Sequence, residues 1–507
     1  MKTRISIVAM LFFVMGLYAQ EHITILNPAT WSTKELTPYI GQTVIFDVPM
    51  VVCGNANGKY VVSPWRRYQP ENQGVMGSAE YNETVRVNSS CMFSLADVTG
   101  YHRCGEKIYN LKAKVTAANS LSMSGGSWHG NTRAELEAGL PDLGDYRLLV
   151  CGFNLENYFT TLGSMGASNA TDRHAQRTKV SKALAKINAD IYGLVELQQG
   201  DDAIDEIAKD LNKNIPGRNY MYFHESSSGT FQKVDFLYDA NTVEPINTPV
   251  GSDVEVQNRK KMICFRELAT GEKFIYSINH FKAMNTGGAD RRENEARAVV
   301  KLYNSYRQNH SVLENDLLIM GDLNCYGKTD PILVFTESNQ MIDLHCAFHA
   351  DSSYSYMFSG YASYIDHAIC NETLYRQITG QAAYHINSDE DDKYTYDKSN
   401  DRTMFRCSDH DPVLVGLKLD STLSQPIVPY INGLDILTKD NNQMVIQNAY
   451  SDDHKSFYAI YSISGILQNR QEITSSYHTV TLPTAPGIYI VYLYYKGVAY
   501  EQRMIVR

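Results

Sequence analysis

The chain has 507 residues, of which 43% are hydrophobic and 20% are charged, and this composition excludes an intrinsically disordered protein. Its length predicts about two to four domains, because a single hydrophobic core rarely serves so many residues. The formal net charge of −10 excludes a global positive field that would attract a polyanion, so a substrate that carries phosphate must be bound by local groups.

The N-terminus predicts a secretory signal peptide over residues 1–19. Lys2 and Arg4 precede an apolar stretch that begins at Ile5, and Leu17-Tyr18-Ala19 provides a small-residue site for a signal peptidase. An N-terminal membrane anchor is the alternative interpretation. Because no later stretch approaches the length of a membrane span, we expect an exported protein without stable membrane insertion.

Nine cysteines follow this segment, and an exported protein meets conditions that permit disulfides. The sequence has no CxxC motif and no Cys/His cluster with zinc-site spacing, which argues against metal binding by sulfur. The odd number leaves at least one cysteine unpaired. Candidate pairs are Cys91 with Cys104, and Cys346 with either Cys370 or Cys407.

Four regions follow the signal peptide. Residues 22–145 contain short strand-like runs broken by Gly, Asn and Ser, which predict an all-β barrel or sandwich. In residues 146–419, apolar strand patterns alternate with helical patterns and predict an α/β layered domain. Residues 420–433 contain two prolines and no periodicity, so they predict a linker. Residues 434–507 have strand patterns throughout and predict a compact β-sandwich.

Polar side chains repeatedly interrupt the strand ends of the region 146–419. One such residue would be unremarkable, since Asn and Asp commonly cap turns. Carboxylate and amide oxygens suit Mg²⁺, Mn²⁺ or Ca²⁺, and histidine transfers protons near neutral pH. Phosphodiester cleavage needs this combination of groups. The six sites are Asn154, Glu196, Asn279 with His280, Asp322 with Asn324, Asp366 with His367, and Asp409 with His410.

The same region resembles the endonuclease/exonuclease/phosphatase superfamily, which includes deoxyribonuclease I and neutral sphingomyelinases. The resemblance covers about residues 146–418 and rests on the ordered motifs FNxxN, VEL, NHFK, GDLN, YSYMFSGYASYIDHAI and SDHDPV. It is closest to secreted bacterial nucleases. It implies a four-layered α/β/β/α sandwich as the catalytic domain, flanked by the N-terminal all-β domain and the C-terminal β-sandwich.

The resemblance also implies which residues bind metal and phosphate. Asn154, Glu196 and Asp409 would hold the principal divalent cation, with Mg²⁺ expected and Mn²⁺ or Ca²⁺ as alternatives. Asp322 and Asn324 would contact the scissile phosphate, position the nucleophile or bind a second metal.

Proton transfer and substrate contacts are implied for the remaining motif residues. His410 would be the general base or acid, oriented by Asp366, and His280 would bind the phosphate and assist the leaving group. Asn279 is predicted to shape the substrate site. The basic stretch RRENEAR is predicted to contact a nucleic-acid backbone, with a solvated helix of alternating charge as the alternative, and its basic residues are Arg291, Arg292 and Arg297.

The flanking domains give weaker resemblances. The N-terminal domain resembles OB-fold-like modules, in which the stretch Trp65-Arg66-Arg67-Tyr68 would bind single-stranded nucleic acid, and a packing domain is the alternative. The C-terminal domain is similar to sorting domains read by the type IX secretion machinery of Gram-negative bacteria, and a generic accessory module is the alternative. The resemblance implies export through the periplasm to the cell surface or medium.

These observations predict a secreted, divalent-metal-dependent phosphodiesterase. We expect an endonuclease that hydrolyses extracellular DNA, and RNA as a further substrate, with water activated by a His/Asp pair. A phosphodiesterase of the same fold that acts on phospholipid head groups such as sphingomyelin is the alternative. A protein that only binds its ligand is a third hypothesis, and the intact set of metal and proton-transfer residues argues against it.

Overall fold

The computed structural model describes residues 24–506 except for 32–34, 56–58, 226–228, 252–258, 285–286, 308–311, 313, 350–351, 398–401, 421–434, 440–442, 448–455, 463–465, 475–476, 486 and 496–497. The predicted signal peptide, and all but the first residue of the predicted linker, lie outside the described residues. The chain forms two compact units. The first contains the residues up to Arg67, Asn82–Glu135 and Ser359–Tyr361, and the second contains Tyr68–Tyr81, Leu136–Phe358 and the residues from Ala362 onward.

The N-terminal part of the chain supplies seven strands and three short helices, together with 3-10 turns at Pro28–Thr30 and Thr37–Tyr39. The strands are β1 (Thr24–Leu26), β2 (Thr43–Phe46), β3 (Met50–Gly54), β4 (Tyr60–Ser63), β5 (Phe93–Ala96), β6 (Lys107–Ala117) and β7 (Ser120–His129). The helices are α1 (Pro70–Gln73), α2 (Ala79–Asn88) and α3 (Arg133–Ala138).

The strands of the first unit form one sheet in the order β1-β2-β6-β3-β4-β5-β7, and β6 also pairs with β7. This additional pairing closes β6, β3, β4, β5 and β7 into a barrel. Arg67 is only 1% exposed, and its guanidinium donates to the backbone oxygens of Asn88 and Ser90. Arg67 therefore stabilises the barrel unit. The prediction that Arg67 binds nucleic acid is wrong, because its side chain is buried.

The second unit contains the α/β region. Its strands are β8 (Leu148–Tyr158), β9 (Ile191–Gln198), β10 (Tyr220–Tyr222), β11 (Gln232–Asp239), β12 (Val243–Pro245), β13 (Val250–Gly251), β14 (Lys260–Glu267), β15 (Lys273–His280), β16 (Leu317–Asp322), β17 (Ile342–Asp343), β18 (Tyr356–Phe358), β19 (Tyr361–Ser363, of which Tyr361 belongs to the first unit), β20 (Asp366–Cys370), β21 (Ile378–Ala383) and β22 (Val413–Leu417). Its helices are α4 (Ala170–Ile187), α5 (Asp202–Asn214), α6 (Ala289–Tyr306), α7 (Asp330–Thr336), α8 (Leu344–His349) and α9 (Glu372–Tyr375), with a 3-10 turn at Asp392–Asp397.

Two mixed sheets form the centre of this region. The first has the order β10-β11-β9-β8-β22-β21, and the second has the order β12-β14-β15-β16-β20-β17, with β13 paired to β14. One apolar cluster fills the space between the sheets, a second joins the first sheet to α4 and α5, and a third joins the second sheet to α6 and α7. The predicted α/β class, with a four-layered sandwich and flanking β domains, is confirmed.

Local sequence signals explain how the layers form. Helix α4 begins after Asn169, whose side chain accepts a hydrogen bond from the backbone N–H of Asp172, and it ends at Asn188 with φ of 51°. Between the sheets, a Cβ at Gly193 would lie 2.2 Å from the Tyr276 hydroxyl oxygen. Only glycine therefore allows β9 and β15 to approach each other at this level.

The C-terminal region consists of antiparallel strands. They are β23 (Asp435–Lys439), β24 (Gln443–Gln447), β25 (Phe457–Ser462), β26 (Leu467–Glu472), β27 (Tyr477–Thr481), β28 (Gly487–Tyr495) and β29 (Val498–Val506). One sheet has the order β23-β24-β27 and the other has the order β26-β25-β28-β29. Among the residues that the structure describes, no helix is long and apolar enough to cross a membrane.

All nine cysteines lie in the described part of the chain, and all are free thiols. The predicted disulfides, Cys91 with Cys104 and Cys346 with Cys370 or Cys407, are therefore wrong for this structure. Eight of the nine cysteines are buried, where they pack as small apolar side chains.

Candidate active site

Strand ends from both sheets of the α/β region carry most of the predicted site residues. Parallel pairing of β15 with β16 places His280 opposite Asp322, and antiparallel pairing of β16 with β20 places Asp322 opposite Asp366. In the other sheet, parallel β8 and β9 pair Asn154 with the residue directly before Glu196. The register of the strands therefore brings these side chains to one edge of the sandwich.

His410 lies on the loop before β22, and a carboxylate of the second sheet fixes its ring. Its Nδ1 lies 2.8 Å from Oδ2 of Asp366, which also accepts a hydrogen bond of 2.7 Å from the Ser355 hydroxyl. Its Nε2 lies 4.0 Å from Asp322 Oδ2 and 3.9 Å from Asp409 Oδ1. One ring nitrogen is thus held in place while the other faces an acidic centre.

Opposing effects act on the charge of the His410 imidazole. Burial would lower its pKa, but the carboxylates of Asp366 and Asp409 outweigh burial and raise this pKa well above its usual value. His410 therefore carries a proton at neutral pH as long as no cation neutralises the surrounding carboxylates.

Glu196, His280 and Asp322 form the acidic centre, and one ligand atom from each lies within 4.8 Å of the other two. His280 Nε2 is 3.6 Å from Glu196 Oε1 and 3.7 Å from Asp322 Oδ2. The amide nitrogen of Asn154 donates to Asp322 Oδ2 at 3.1 Å. Glu196 also accepts a hydrogen bond of 2.9 Å from the backbone N–H of Asn157, which fixes its carboxylate.

Three acidic side chains at this centre have raised pKa values. Burial raises the pKa of Glu196, and the negative charge of Asp409 adds to the effect. Burial raises the pKa of Asp322 to about 7, although His410 acts in the opposite direction. Burial and then Asp409 raise the pKa of Glu156 to about 8. A cation among these groups would relieve their repulsion, so the donor set fits a divalent metal ion.

Glu156 is the member of this group that the sequence analysis did not select. It lies in the motif FNLENYF, two residues after Asn154, and its backbone N–H donates to Asn154 Oδ1 at 3.0 Å. Its φ of 50° is in the left-handed region, which residues other than glycine rarely adopt. The signal that would have identified it is a glutamate inside a motif that already carries a predicted ligand.

His280 differs from His410 in its charge. Burial lowers its pKa well below the usual value, and the positive charges of Arg259, His410 and Lys260 lower it further. Its Nδ1 is buried and has no hydrogen-bond partner among the described residues. The ring is therefore neutral at neutral pH, with Nε2 directed toward the acidic centre.

Unusual backbone conformations place the carboxylates and amides of the site. Glu196 has φ of 63° and Asn324 has φ of 48°, so both side chains leave the strand ends in directions that regular β-structure does not provide. Gly321 has φ of +123°, and a Cβ there would lie 2.0 Å from the backbone oxygen of Asn279. This close approach explains why glycine precedes Asp322.

Asp411 is a structural member of the sequence SDHDP. It is fully buried, and its Oδ1 accepts hydrogen bonds from the backbone N–H groups of Asn387 at 2.8 Å and Ser388 at 3.0 Å. Its Oδ2 lies 2.9 Å from His385 Nδ1. Asp411 therefore fixes the loop that presents Asp409 and His410, while it has no part in the acidic centre.

Some predicted residues lie outside this centre. Asn279 is fully buried, and its amide nitrogen donates to the backbone oxygens of Ser277 at 3.2 Å and Met320 at 3.3 Å, so it supports the strand end. His367 is also fully buried, with Nε2 2.8 Å from the backbone oxygen of Cys325.

The predicted basic stretch lies at the start of α6. Arg291 and Arg297 are more than half exposed and pair with glutamates of the same helix. Arg292 donates through Nη1 to the backbone oxygen of Gly287 at 2.9 Å. These contacts lie within α6 and the turn before it, and none of these contacts involves Glu196, His280 or Asp322.

A cavity of about 440 Å³ opens beside the proton-transfer pair. His410 and Asn324 line its polar part, and Tyr326, Tyr356 and Phe358 line its aromatic part. The ring of Tyr356 lies 4.8 Å from the ring of His410, at an angle of 32° between their planes. The cavity therefore joins the reactive groups to a surface that can pack against a flat or apolar group.

Comparisons with known proteins agree with this geometry. The sequence profile described as the Endonuclease/Exonuclease/phosphatase family matches residues 151–410. None of the curated proteins matches the chain.

Several solved structures resemble it. An endonuclease/exonuclease/phosphatase family protein from Bacteroides thetaiotaomicron is 17% identical over 55% of this chain and 98% of its own, with a TM-score of 0.39. A mannosyl-6-phosphatase from the same organism is 16% identical over 53% of this chain and 99% of its own, with a TM-score of 0.39. The catalytic domain of human Nocturnin is 13% identical over 53% of this chain and 93% of its own, with a TM-score of 0.37.

The family match begins in β8 and ends at His410, so it spans the strand ends that carry the acidic centre and the proton-transfer pair. It also extends over just over half of the chain. The chain therefore belongs to the Endonuclease/Exonuclease/phosphatase family, whose members are phosphoesterase hydrolases.

Proposed function

We propose that this protein is a divalent-metal-dependent nuclease that hydrolyses phosphodiester bonds of DNA, and of RNA as a further substrate. One observation carries the proposal. The ligand atoms of Glu196, His280 and Asp322 lie within 4.8 Å of one another, and beside them Asp366 holds the His410 imidazole with Nε2 directed inward. A group of side chains that can bind a cation and a side chain that can accept a proton therefore lie close enough together to act on one phosphate group.

The residues that would hold the metal are Glu196, Asp322 and Asp409, with Asn154 beside them. Their oxygens are the donors that Mg²⁺ and Mn²⁺ prefer. Burial, and then neighbouring carboxylates, raise the pKa values of Glu196 and Asp322, so a bound cation would favour the ionised forms of both side chains. When bound, the metal would polarise the phosphate and neutralise its charge. His280 is a softer donor, and its neutral ring suits contact with the phosphate better than binding of a hard cation.

His410 would act on the attacking water. Its Nε2 accepts one proton from the water as the water oxygen forms a bond to phosphorus, and the Asp366 carboxylate stabilises the imidazolium that results. The ester bond on the opposite side of phosphorus then breaks. The electron pair of the broken P–O bond goes to the leaving oxygen, which takes up a proton from solvent, and His410 returns its proton to solvent. The products are a phosphomonoester and an alcohol, with water as the second reactant and no change of oxidation state.

His280 and Asn324 would bind the phosphate oxygens during this step. Nε2 of His280 faces the acidic centre, and the side chain of Asn324 lines the same cavity as His410. Donors in these positions stabilise the negative charge that develops on the phosphate and the leaving oxygen.

A second candidate is a phosphodiesterase that acts on a phospholipid head group. Phe358 lines the cavity and is 64% exposed, which is the kind of apolar side chain that enters a lipid surface. Hydrolysis of sphingomyelin in vesicles, at a rate that exceeds hydrolysis of plasmid DNA, would favour this candidate.

The test of the nuclease proposal is digestion of supercoiled plasmid by the purified chain with Mg²⁺ or Mn²⁺. We expect nicking followed by degradation, and loss of both in EDTA and in His410→Ala. The matched control is His224→Ala, because the side chain of His224 is 81% exposed and its contacts, with Asp201 and the ring of Tyr222, lie outside the acidic centre. No cleavage by a folded, metal-loaded protein would refute the proposal.

We also propose export to the cell surface or medium, supported by the pattern of residues 1–19 and by the likeness of residues 434–507 to sorting domains. N-terminal sequencing of protein recovered from the medium should begin at Gln20. Deletion of residues 434–507 should leave the protein in the periplasm, and release of the deleted form would refute the sorting role.

A further inference from the structure

A second cavity lies next to the first, and part of its wall comes from the N-terminal region of the chain. We propose that this cavity binds the nucleoside attached to the scissile phosphate, so that the segment Tyr68–Tyr81, named here the wall segment, favours esters that carry a nucleoside over esters that do not. The inference rests on the nuclease function proposed above. It adds a substrate subsite to which Glu71, Val75 and Met76 contribute, and these three residues lie outside the family match, 151–410.

The two cavities are adjacent and share part of their lining. The second has a volume of about 400 Å³ and shares two lining residues, Met284 and Tyr326, with the cavity that contains His410. This volume is within the range of about 300–1,000 Å³ that small-molecule pockets occupy. A phosphodiester with its phosphate beside His410 can therefore place one of its two organic groups in the second cavity.

The charge of the second cavity selects a neutral group over a second phosphate. Its lining contains four carboxylates and two cationic side chains. Both cations have protein partners, since Arg292 donates to the backbone oxygen of Gly287 and Lys328 Nζ lies 3.2 Å from Cys346 Sγ. A dianionic phosphate would meet an acidic surplus there, whereas a nucleobase carries no charge and offers N–H donors to the carboxylates.

The apolar part of the lining suits the face of a base. Val75 and Met76 of the wall segment are 48% and 72% exposed, and with Tyr326 and Pro331 they border the cavity. Exposed apolar side chains beside a polar pocket indicate a binding surface. Aromatic and polarisable side chains such as these stack on any base, because every base has a π face.

The wall segment is fixed to the catalytic strands and therefore forms part of the site. Asn72 is 3% exposed, and its amide exchanges two hydrogen bonds with the backbone of Tyr364, of 3.0 Å and 3.3 Å. The backbone N–H of Lys328 donates to the oxygen of Glu71 at 2.8 Å. Tyr364 lies two residues before Asp366, so the wall is held at a constant distance from the reactive pair.

The experiment compares two classes of ester, three compounds in all, that have the same leaving group. Bis(4-nitrophenyl) phosphate has no nucleoside, whereas thymidine 5′-(4-nitrophenyl phosphate) and its 3′ isomer place a base on one side of phosphorus. We expect the double variant V75S/M76S of the full chain to lose about tenfold more kcat/KM on at least one thymidine ester than on the bis ester, chiefly through KM, because stacking of the base is lost. Leu268→Ser is the matched control, because Leu268 is an exposed apolar residue that lines neither cavity.

The outcomes separate this inference from the proposed function. If the wild-type chain hydrolyses neither class of ester with Mg²⁺ or Mn²⁺, the proposed function falls, and the subsite falls with it. If the wild-type chain is active and the ratio of kcat/KM values is the same in V75S/M76S, in Leu268→Ser and in the wild type, the nucleoside subsite is overturned while the nuclease proposal stands. An equal loss on both esters also overturns it, because that result indicates a general disturbance of the site.

Discussion

Replacement of Asp366 by Asn tests the role of the proton-transfer pair most directly. The substitution keeps the shape of the side chain but removes a negative charge 2.8 Å from His410 Nδ1. At that separation and an effective dielectric constant of about 20, the charge interaction amounts to about 6 kcal/mol. The amide oxygen of Asn can still accept a hydrogen bond, so only part of this energy is lost. We expect kcat to fall about 10²- to 10⁴-fold, which corresponds to about 3–5 kcal/mol in the barrier.

The assay is metal-dependent hydrolysis of bis(4-nitrophenyl) phosphate across a range of pH. Removal of the Asp366 charge lowers the pKa of His410, so the acid limb of the rate profile should move to lower pH. Ser355→Ala is the control, because it removes a neutral hydrogen bond of 2.7 Å to the same carboxylate and keeps the charge. We expect that control to lose less than about tenfold. A loss below tenfold in Asp366→Asn, with an unshifted pH profile, would refute the assignment.

Three further predictions concern stability. Mg²⁺ or Mn²⁺ should raise the melting temperature of the wild type, and Glu196→Gln should abolish most of this rise, as calorimetry with and without EDTA would show. In EDTA, the wild type should become less stable from pH 5 to pH 8. The pKa is raised to about 7 for Asp322 and to about 8 for Glu156, so both groups stabilise the folded state at low pH, and this contribution is lost as the pH rises through those values. A free energy of unfolding that does not change with pH would contradict the crowding of these acids. Gly321→Ala should lower the free energy of unfolding, measured with denaturant, by about 2–4 kcal/mol. Gly271→Ala is the control, because Gly271 has φ of +80° with open space around its Cβ position, and it should lower the free energy of unfolding by only about 1 kcal/mol. Equal losses in the two variants would contradict the close approach at Gly321.

The sequence was most informative where strand register determines the site. Polar residues at the ends of apolar strands identified His280, Asp322 and Asp366, because the ends of neighbouring strands meet at one edge of a sheet. The alternation of strands and helices likewise predicted a layered α/β domain, since strands that are apolar on both faces need cover on both sides, whereas the four-layered sandwich came from the family resemblance.

Other features depend on contacts that spacing alone does not show. Glu156 joins the acidic centre because the loop with Asp409, about half the chain away, packs beside it. The disulfide pairs were wrong because spacing gives no distance between sulfur atoms. Arg67 lies in a stretch with the composition of a nucleic-acid surface, yet its guanidinium binds backbone oxygens inside the barrel unit.

The wall segment also has a consequence for the order of folding. Asn72 and Tyr364 are separated by 292 positions, so their hydrogen bonds close one of the longest loops in the chain. Contacts of such high sequence separation form slowly, because the loss of chain entropy comes before the gain in packing. We therefore expect a period in which the reactive pair is already assembled while the cavity beside it still lacks one side.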